Sequence, residues 1–365
     1  MRRFFTVSMV FAGMMLFSLA AHAQLQVPEG SQRARIMQRV GITDITIDYG
    51  RPGVNDREIW GQLVPYGFNN LGFGTSTAAP WRAGANNNTI IEFTHDVKVE
   101  GEDIAAGKYG LHMALEEDGD VTVIFSKDYN AWGSYFYDEQ NDALRVEVKS
   151  KEAAHTELLT FEFATVTPTS ATASLRWAKK EIPFKIEVDV NEIVMKQIKS
   201  DFNNSAGFTQ ANWDQAAGFA MQAGDLDQAL EWVNASIEGQ FFSKPTFSNL
   251  SMKSQILTQQ GKKEEAAKLV DQIIELGNAT QLYQYGSQFI SSGQTDLAVK
   301  VAKANVKNSD GQWPSNYGLA RAYSAAGNFK GAVKSMKVAQ SKAPERFKER
   351  LAGNMEKLQK GEDIN

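Results

Sequence analysis

From residue 44 to residue 189, apolar and polar side chains alternate with period two in eight short runs. Ile45, Ile47 and Tyr49 oppose Thr46 and Asp48, while Ile91, Phe93, Val97 and Val99 oppose Glu92, Thr94 and Lys98. Tyr109 to Leu115, Val121 to Phe125, Leu144 to Val148, Leu159 to Phe163, Ala173 to Trp177 and Ile182 to Val188 continue the series. Turn-forming stretches such as Glu117-Asp118-Gly119-Asp120 separate several of them. Alternation places one face of each strand on a core and the other in water, which predicts an antiparallel, two-layer β-sandwich. The long stretch from Arg51 to Thr89, rich in Gly, Asn and Pro, parts the first two runs. A connection of that length inside a compact domain is either functional or locally structured.

Near Asn191 the period changes. From Met195 onward it is 3.6, and amphipathic helices alternate with turns. Four glycines, each followed five residues later by an alanine, punctuate this half: Gly224/Ala229, Gly261/Ala266, Gly293/Ala298 and Gly327/Ala332. The glycines fall 37, 32 and 34 residues apart. Seven residues before each lies a small residue (Ala217, Ser254, Gly286, Ala320), and larger ones such as Trp213, Val233, Leu257, Val270, Phe289, Tyr323 and Met336 fill the space between. Small residues at fixed positions let paired helices approach, so the pattern predicts stacked helix–turn–helix units. It resembles the tetratricopeptide repeat, most clearly from Tyr317 to Pro344, and that resemblance implies a surface that holds another polypeptide. The last stretch sets Phe347, Leu351, Met355 and Leu358 on one face with charges elsewhere, as a helix that caps such an array does.

The amino terminus changes the picture of location. Arg2 and Arg3 precede an apolar run from Phe4 to Leu19, and Ala21-His22-Ala23 supplies the small–x–small pattern of a signal-peptidase site. The run is short for a membrane span and polar sequence follows at once. The chain is therefore expected to divide into a signal peptide (1–23), a β-sandwich domain (24–190) and a helical repeat array with its capping helix (195–365), acting in the periplasm or as a secreted protein, with no integral membrane segment after cleavage. With no cysteine among 365 residues there are no disulfides and no thiolate metal sites, so packed cores must supply the stability. A net charge of −5 argues against nucleic acid as a partner.

The front half carries Tyr49-Gly50-Arg51-Pro52, Arg57, Ile59-Trp60-Gly61, Leu63-Val64-Pro65-Tyr66-Gly67, Trp81-Arg82-Ala83-Gly84-Ala85-Asn86, Tyr109-Gly110-Leu111, Trp132-Gly133, Tyr137-Asp138 and Arg145, in that order. Together, from about Val27 to Val188, these resemble the bacterial family known as domain of unknown function 2911. Phe68 to Pro80 is longer than the general family pattern. The resemblance implies domain boundaries and no activity. The residues themselves suggest some chemistry. Arg51, Arg57 and Arg82 carry planar forks suited to carboxylate or phosphate. Trp60, Trp81 and Trp132 offer flat faces for stacking, and Asn86 adds a donor and an acceptor. Arg51, Arg57, Trp81, Arg82, Asn86 and Trp132 are therefore candidate ligand-binding residues for a saccharide or another anionic molecule. The competing expectation is structural: the arginines, partly buried and with Arg51 close to Arg82, pair with Asp48, Asp56 or Asp138 and pin the loop.

Of the four histidines, His22 leaves with the signal and His155 stands apart in sequence. His95 shares the phase of Phe93 and Val97. Glu92 and His112 would approach each other in a hairpin and are the weak candidates for a metal, which would need a third ligand. No metalloprotease, nucleophile-elbow or phosphate-loop signature occurs, and the pattern calls for no cofactor. The reading is a non-catalytic, extracytoplasmic binding or scaffolding protein whose repeats hold a peptide or protein. The alternative is an envelope hydrolase or saccharide-binding module acting through the Arg51–Asn86 loop. The signal predicts a mature chain that starts at Gln24. Amino-terminal sequencing of the exported protein should read Gln24 first, and a retained Met1 in a membrane fraction would contradict it.

Overall fold

The computed structural model describes residues 28–365, so the proposed signal peptide lies outside the described residues. The chain divides into two compact units between Ile193 and Val194. Among the described residues the front unit holds ten strands: β1 (Arg33–Val40), β2 (Thr43–Gly50), β3 (Thr89–Phe93), β4 (Val97–Val99), β5 (Glu102–Ile104), β6 (Gly107–Leu115), β7 (Asp120–Ser126), β8 (Asp142–Lys149), β9 (Lys151–Thr167) and β10 (Ser170–Glu187). They build a six-stranded antiparallel sheet, β1-β2-β3-β6-β7-β8, and a four-stranded one, β5-β4-β10-β9. Residues of one phase from both sheets meet in a dry core. Tyr49 packs edge-on to Phe161 at 4.9 Å and Phe125 edge-on to Phe184 at 6.1 Å. The sandwich read from the alternation is present.

Three readings of the strands need correction. Ile91 to Val99 is two strands, not one, because the chain leaves the first sheet at Phe93 and enters the second at Val97. His95 sits in that crossing, half-buried, with its Nδ1 3.1 Å from Thr43 Oγ1. Ala173 to Val188 is a single long strand, β10, whose phase resets at Ala178 (φ 49°) where its register with β9 shifts. Alternation read in a fixed window breaks at such a bulge. Strand β1 does not show in the alternation because it lies at the sheet edge, where its exposed row of Arg33, Arg35, Met37 and Arg39 mixes polar with apolar and its inner row contains Gln38.

β6 departs from alternation: from Tyr109 to Leu115 every residue is buried. A strand buried on both faces needs a second layer over its outer face. The Arg51–Thr89 connection and residues 127–138 supply it. β3 pairs with β6 only as far as Leu111. Beyond that point Trp81 takes up the free edge: its N–H donates to the Met113 carbonyl (2.9 Å) and the Met113 N–H donates to the Trp81 carbonyl (2.8 Å). The Gly67 N–H donates to Leu115 in the same way at 2.7 Å.

The back unit is helical, and the boundary falls inside α1 (Val190–Asp201). Four pairs follow: α2 (Gln210–Ala223) with α3 (Leu226–Glu238), α4 (Phe247–Gln259) with α5 (Lys263–Lys268) and α6 (Val270–Leu276), α7 (Ala279–Ser291) with α8 (Thr295–Asn308), and α9 (Trp313–Ala325) with α10 (Phe329–Lys342). A last helix, α11 (Glu345–Gln359), buries Leu351, Met355 and Leu358 and so caps the stack. The second pair differs from the others in that its second helix is interrupted at Leu269. Each of the four turn glycines has a left-handed backbone, with φ between 71° and 86°, which a side chain would strain. Ala229, Ala298 and Ala332 are wholly buried and Ala266 nearly so, as expected where two helices touch most closely. Among the described residues no helix is long and apolar enough to cross a membrane.

Ala332 sits against Tyr317, Ala320 and Met336 in the terminal apolar cluster. Ala332→Leu should overpack this contact and cost roughly 1–3 kcal/mol, seen as a lower thermal midpoint of the full chain's helical signal. An unchanged midpoint would contradict this helix register.

Candidate functional site

The sequence candidates separate into anchors and a smaller group that stands open. Arg51 is an anchor: its Nε donates to the Leu159 carbonyl (2.9 Å) and its Nη2 to Thr160 Oγ1 (2.7 Å), which ties the start of the long connection to β9. Arg57 closes its own turn on the carbonyls of Val54 (3.0 Å) and Gly53 (2.6 Å). Asn86, at φ 64°, donates from Nδ2 to Glu29 (2.6 Å) and to the Ser31 carbonyl (3.1 Å). The expected arginine–carboxylate pairs do not form on these residues. Asp48 is taken by Arg33 and Arg35 instead, and Arg51 and Arg82 engage different partners.

Trp81 and Arg82 part company for a simple reason. Neighbouring residues on an extended chain point to opposite faces, and cross-strand partners share a face. Trp81, paired with Met113, therefore turns into the core, where its ring stacks on Trp177 (6.0 Å, 13°) with Trp60 edge-on to both. Arg82 turns outward, onto the face that holds His112. His112 is buried, with 2% of its surface exposed, and its Nδ1 lies 3.0 Å from Ser134 Oγ. Burial, and then the nearby Arg82 charge, push its pKa down to about 4, so the imidazole is neutral at pH 7. Burial likewise lowers the pKa of Arg82, with Tyr135 opposing. Gly133 (φ 78°) makes room for the guanidinium, since a side chain there would overlap it. The Arg82 guanidinium carbon lies 5.7 Å from the centre of the Trp132 ring.

Residues 127–138 are bound to the rest of the unit by Asn88, whose N–H donates to Ala131 (3.1 Å) and whose Nδ2 donates to Asp128 (3.2 Å). Beyond them Tyr137 donates to Asp142 Oδ2 (2.6 Å), and Arg145 donates to the same oxygen (2.6 Å) and to the Tyr137 hydroxyl (2.8 Å). Burial, reinforced by Asp142, raises the Tyr137 pKa and keeps it a neutral donor. This network borders a groove of about 520 Å³ whose lining includes Phe68, Thr75, Ser76 and Thr77. Ser134, Tyr135 and Tyr137 escaped the sequence reading as members of the site. The local signals are the Trp132-Gly133 pair just before them and the Tyr137-Asp138 pair.

Glu92 and His112 do not meet. The register pairs Glu92 with Lys108, and their side chains form an ion pair at 3.5 Å, whereas His112 faces Ile124 across β7. Among the described residues no group of three or more His, Cys, Asp or Glu could hold a metal ion.

On the repeat unit, the first helices of successive pairs are neighbours, as α7 is to α9. Arg321 on α9 donates from Nη1 to the Tyr283 hydroxyl and to Ser287 Oγ on α7, both at 3.2 Å, and from Nε to Asn365 Oδ1 (3.0 Å). All three acceptors are neutral. Beside them, Tyr283, Gln284, Ser287 and Gln288 line an open groove of about 540 Å³.

The His112 environment has a measurable consequence. A histidine held neutral in the fold resists protonation that the unfolded chain accepts near its ordinary value of about 6.5. Its contribution to stability is therefore intact above that value and falls away as the pH drops from about 6.5 toward 4, by roughly 3 kcal/mol in full. The hydrogen-exchange protection factors of the Trp81 and Met113 amides in the full chain, corrected for the intrinsic pH dependence of exchange, should fall over that window more steeply than in His112→Asn. Equal pH profiles would show that His112 is not the group responsible.

Residues 31–186 match the sequence profile of the family described as Protein of unknown function (DUF2911). No curated protein matches the chain. Among solved structures, the C-terminal part of a TPR repeat-containing protein from Cytophaga hutchinsonii is similar at 15% identity, with 47% of this chain and 66% of that one covered and a TM-score of 0.36. YrrB, a TPR protein with an unusual peptide-binding site, is 15% identical over 46% of this chain and 84% of its own, with a TM-score of 0.32. A tetratricopeptide repeat protein from Parabacteroides merdae is 14% identical, covers 47% and 67%, and has a TM-score of 0.34. The N-terminal half of the chain is thus similar to the DUF2911 family over residues 31–186, and the C-terminal half is similar to tetratricopeptide repeat proteins.

Proposed function

We propose that the chain is a non-catalytic, extracytoplasmic binding or scaffolding protein whose helical repeats hold a peptide or protein partner. The export half of this reading rests on the Arg2–Ala23 leader alone. The binding half rests on one observation above the others, the Arg321 guanidinium of α9 bonded to Tyr283 and Ser287, which line the groove on α7. It is fixed in place by Tyr283 and Ser287 and bonded only to neutral oxygens, so its charge is left for a carboxylate from outside. Stacked helix pairs suit this use because each adds a rigid strip of surface without reshaping its neighbours. The alternative, a hydrolase working through the Arg51–Asn86 loop, draws no support from the arrangement. It needs Arg51, Trp81 and Arg82 around one pocket, and they engage β9, Trp177 and Trp132 respectively.

A photo-crosslinking residue placed at Gln284, exposed on α7, tests the reading in the envelope of the producing cell. A discrete adduct is expected there and not at exposed Lys337 on α10. Arg321→Glu should reduce the Gln284 adduct by about tenfold, the usual worth of a charge-assisted contact. Absence of any adduct at Gln284, or equal adducts at both positions, would overturn the proposal.

A further inference from the structure

An arginine on a sheet face ordinarily finds a carboxylate or several carbonyls for its five donors. Arg57 and Arg145 do, and Arg51 bonds a carbonyl and a hydroxyl. Arg82 is the exception in this region: although half-buried, it has no hydrogen bond and no ion pair among the described residues. Its charge meets the Trp132 ring, the Tyr135 hydroxyl and His112, and none of these is a carboxylate. A guanidinium kept partly out of water with open donors is an anion receptor waiting for its anion.

The ledge beside it is aromatic and uncovered. Phe73, Trp132 and Phe136 are 66%, 61% and 56% exposed, far more than rings of that size need to be. They form one set through Tyr135, which stacks on Trp132 (5.8 Å, 14°) and meets Phe73 edge-on (5.6 Å), while Phe73 meets Phe136 at 5.9 Å. Backbone contacts hold the set in place, since the Ser76 N–H donates to the Tyr135 carbonyl at 3.0 Å. Next to it, past Tyr137, opens the groove of about 520 Å³ whose lining includes Thr75, Ser76 and Thr77 together with Asp138, Glu139 and Arg145, so the carboxylate of a ligand belongs at Arg82 and its hydroxylated rings in the groove. That volume suits a few small rings rather than a protein interface. Flat apolar faces, hydroxyl partners and one unpaired cation together match a molecule with ring faces, many hydroxyls and a carboxylate.

We propose that Arg82 and the Trp132 ledge form a binding site for an acidic carbohydrate, a chain of sugar rings bearing carboxylates. Arg82 pairs with a carboxylate, and the rings of Trp132 and its neighbours pack against the apolar face of a sugar. This site is separate from the repeat groove and does not depend on what the repeats hold. Of the sequence candidates it keeps Arg82 and Trp132, whereas Arg51, Arg57 and Asn86 are taken up by structural bonds and Trp81 by the core.

The test is calorimetric titration of the full mature chain, at low salt, with oligogalacturonate, with a neutral galacto-oligosaccharide of equal length and with polyglutamate of equal charge. Oligogalacturonate should bind, and both comparison ligands should bind at least about tenfold more weakly. Trp132→Ala removes an exposed ring and should leave the circular dichroism unchanged while weakening oligogalacturonate by about tenfold or more. Arg82→Gln should bring the acidic and neutral sugars to the same low affinity. No binding of oligogalacturonate would overturn the proposal. So would polyglutamate binding as tightly, which would reduce the site to charge alone, or a folded Trp132→Ala protein with undiminished affinity.

Discussion

The two hydrogen bonds between Trp81 and Met113 govern the front unit. β3 is too short to cover the whole edge of β6, and an uncovered edge in the middle of a sheet leaves backbone donors and acceptors without partners. The long connection returns at that gap and completes the ladder. Its pleat then decides the fate of two adjacent side chains: Trp81 joins Trp177 and Trp60 in the core, and Arg82 is lifted over the outer face. The burial of His112, the passage of the guanidinium over Gly133 and the stack of Trp132 on Tyr135 all lie downstream of that pairing.

Electrostatics on this outer face are economical. A protonated His112 beside Arg82 would set two positive charges against each other in a poorly solvated place. Burial keeps the imidazole neutral, so Ser134 shares a bond with an uncharged ring and Arg82 meets no positive charge from His112. The neighbouring Arg145 follows the opposite rule, with its charge bound to Asp142 and Tyr137. One arginine holds structure together, with its partner Asp142 three residues before it, and the other has no acidic residue close by in sequence.

The repeat unit depends on a more local device. A left-handed glycine stops each first helix, a small residue lets the second lie close, and the pair repeats. These choices concern residues within one turn of each other, so they hold in each pair almost independently of the rest. The interruption at Leu269 changes one helix without altering the glycine and alanine that set its neighbours.

Periodicity by itself determined the two-part architecture, because burial on one face of a strand or helix leaves its mark on every second or every third-to-fourth residue. The turn glycines, the buried alanines and the strand β2 are legible for that reason. Composition also marked Arg51, Arg57, Trp81, Arg82, Asn86 and Trp132 as unusual. Only the tertiary structure decided that Arg51 bonds β9, that Asn86 holds Glu29, that Trp81 is core and that Arg82 stands open. Glu92 and His112, in phase on paper, are parted by a register that places Lys108 opposite Glu92. Side-chain type reports what a residue is able to bond. Which partner it meets depends on strand register and on where a long connection lands, and both are set by contacts between residues far apart in the chain.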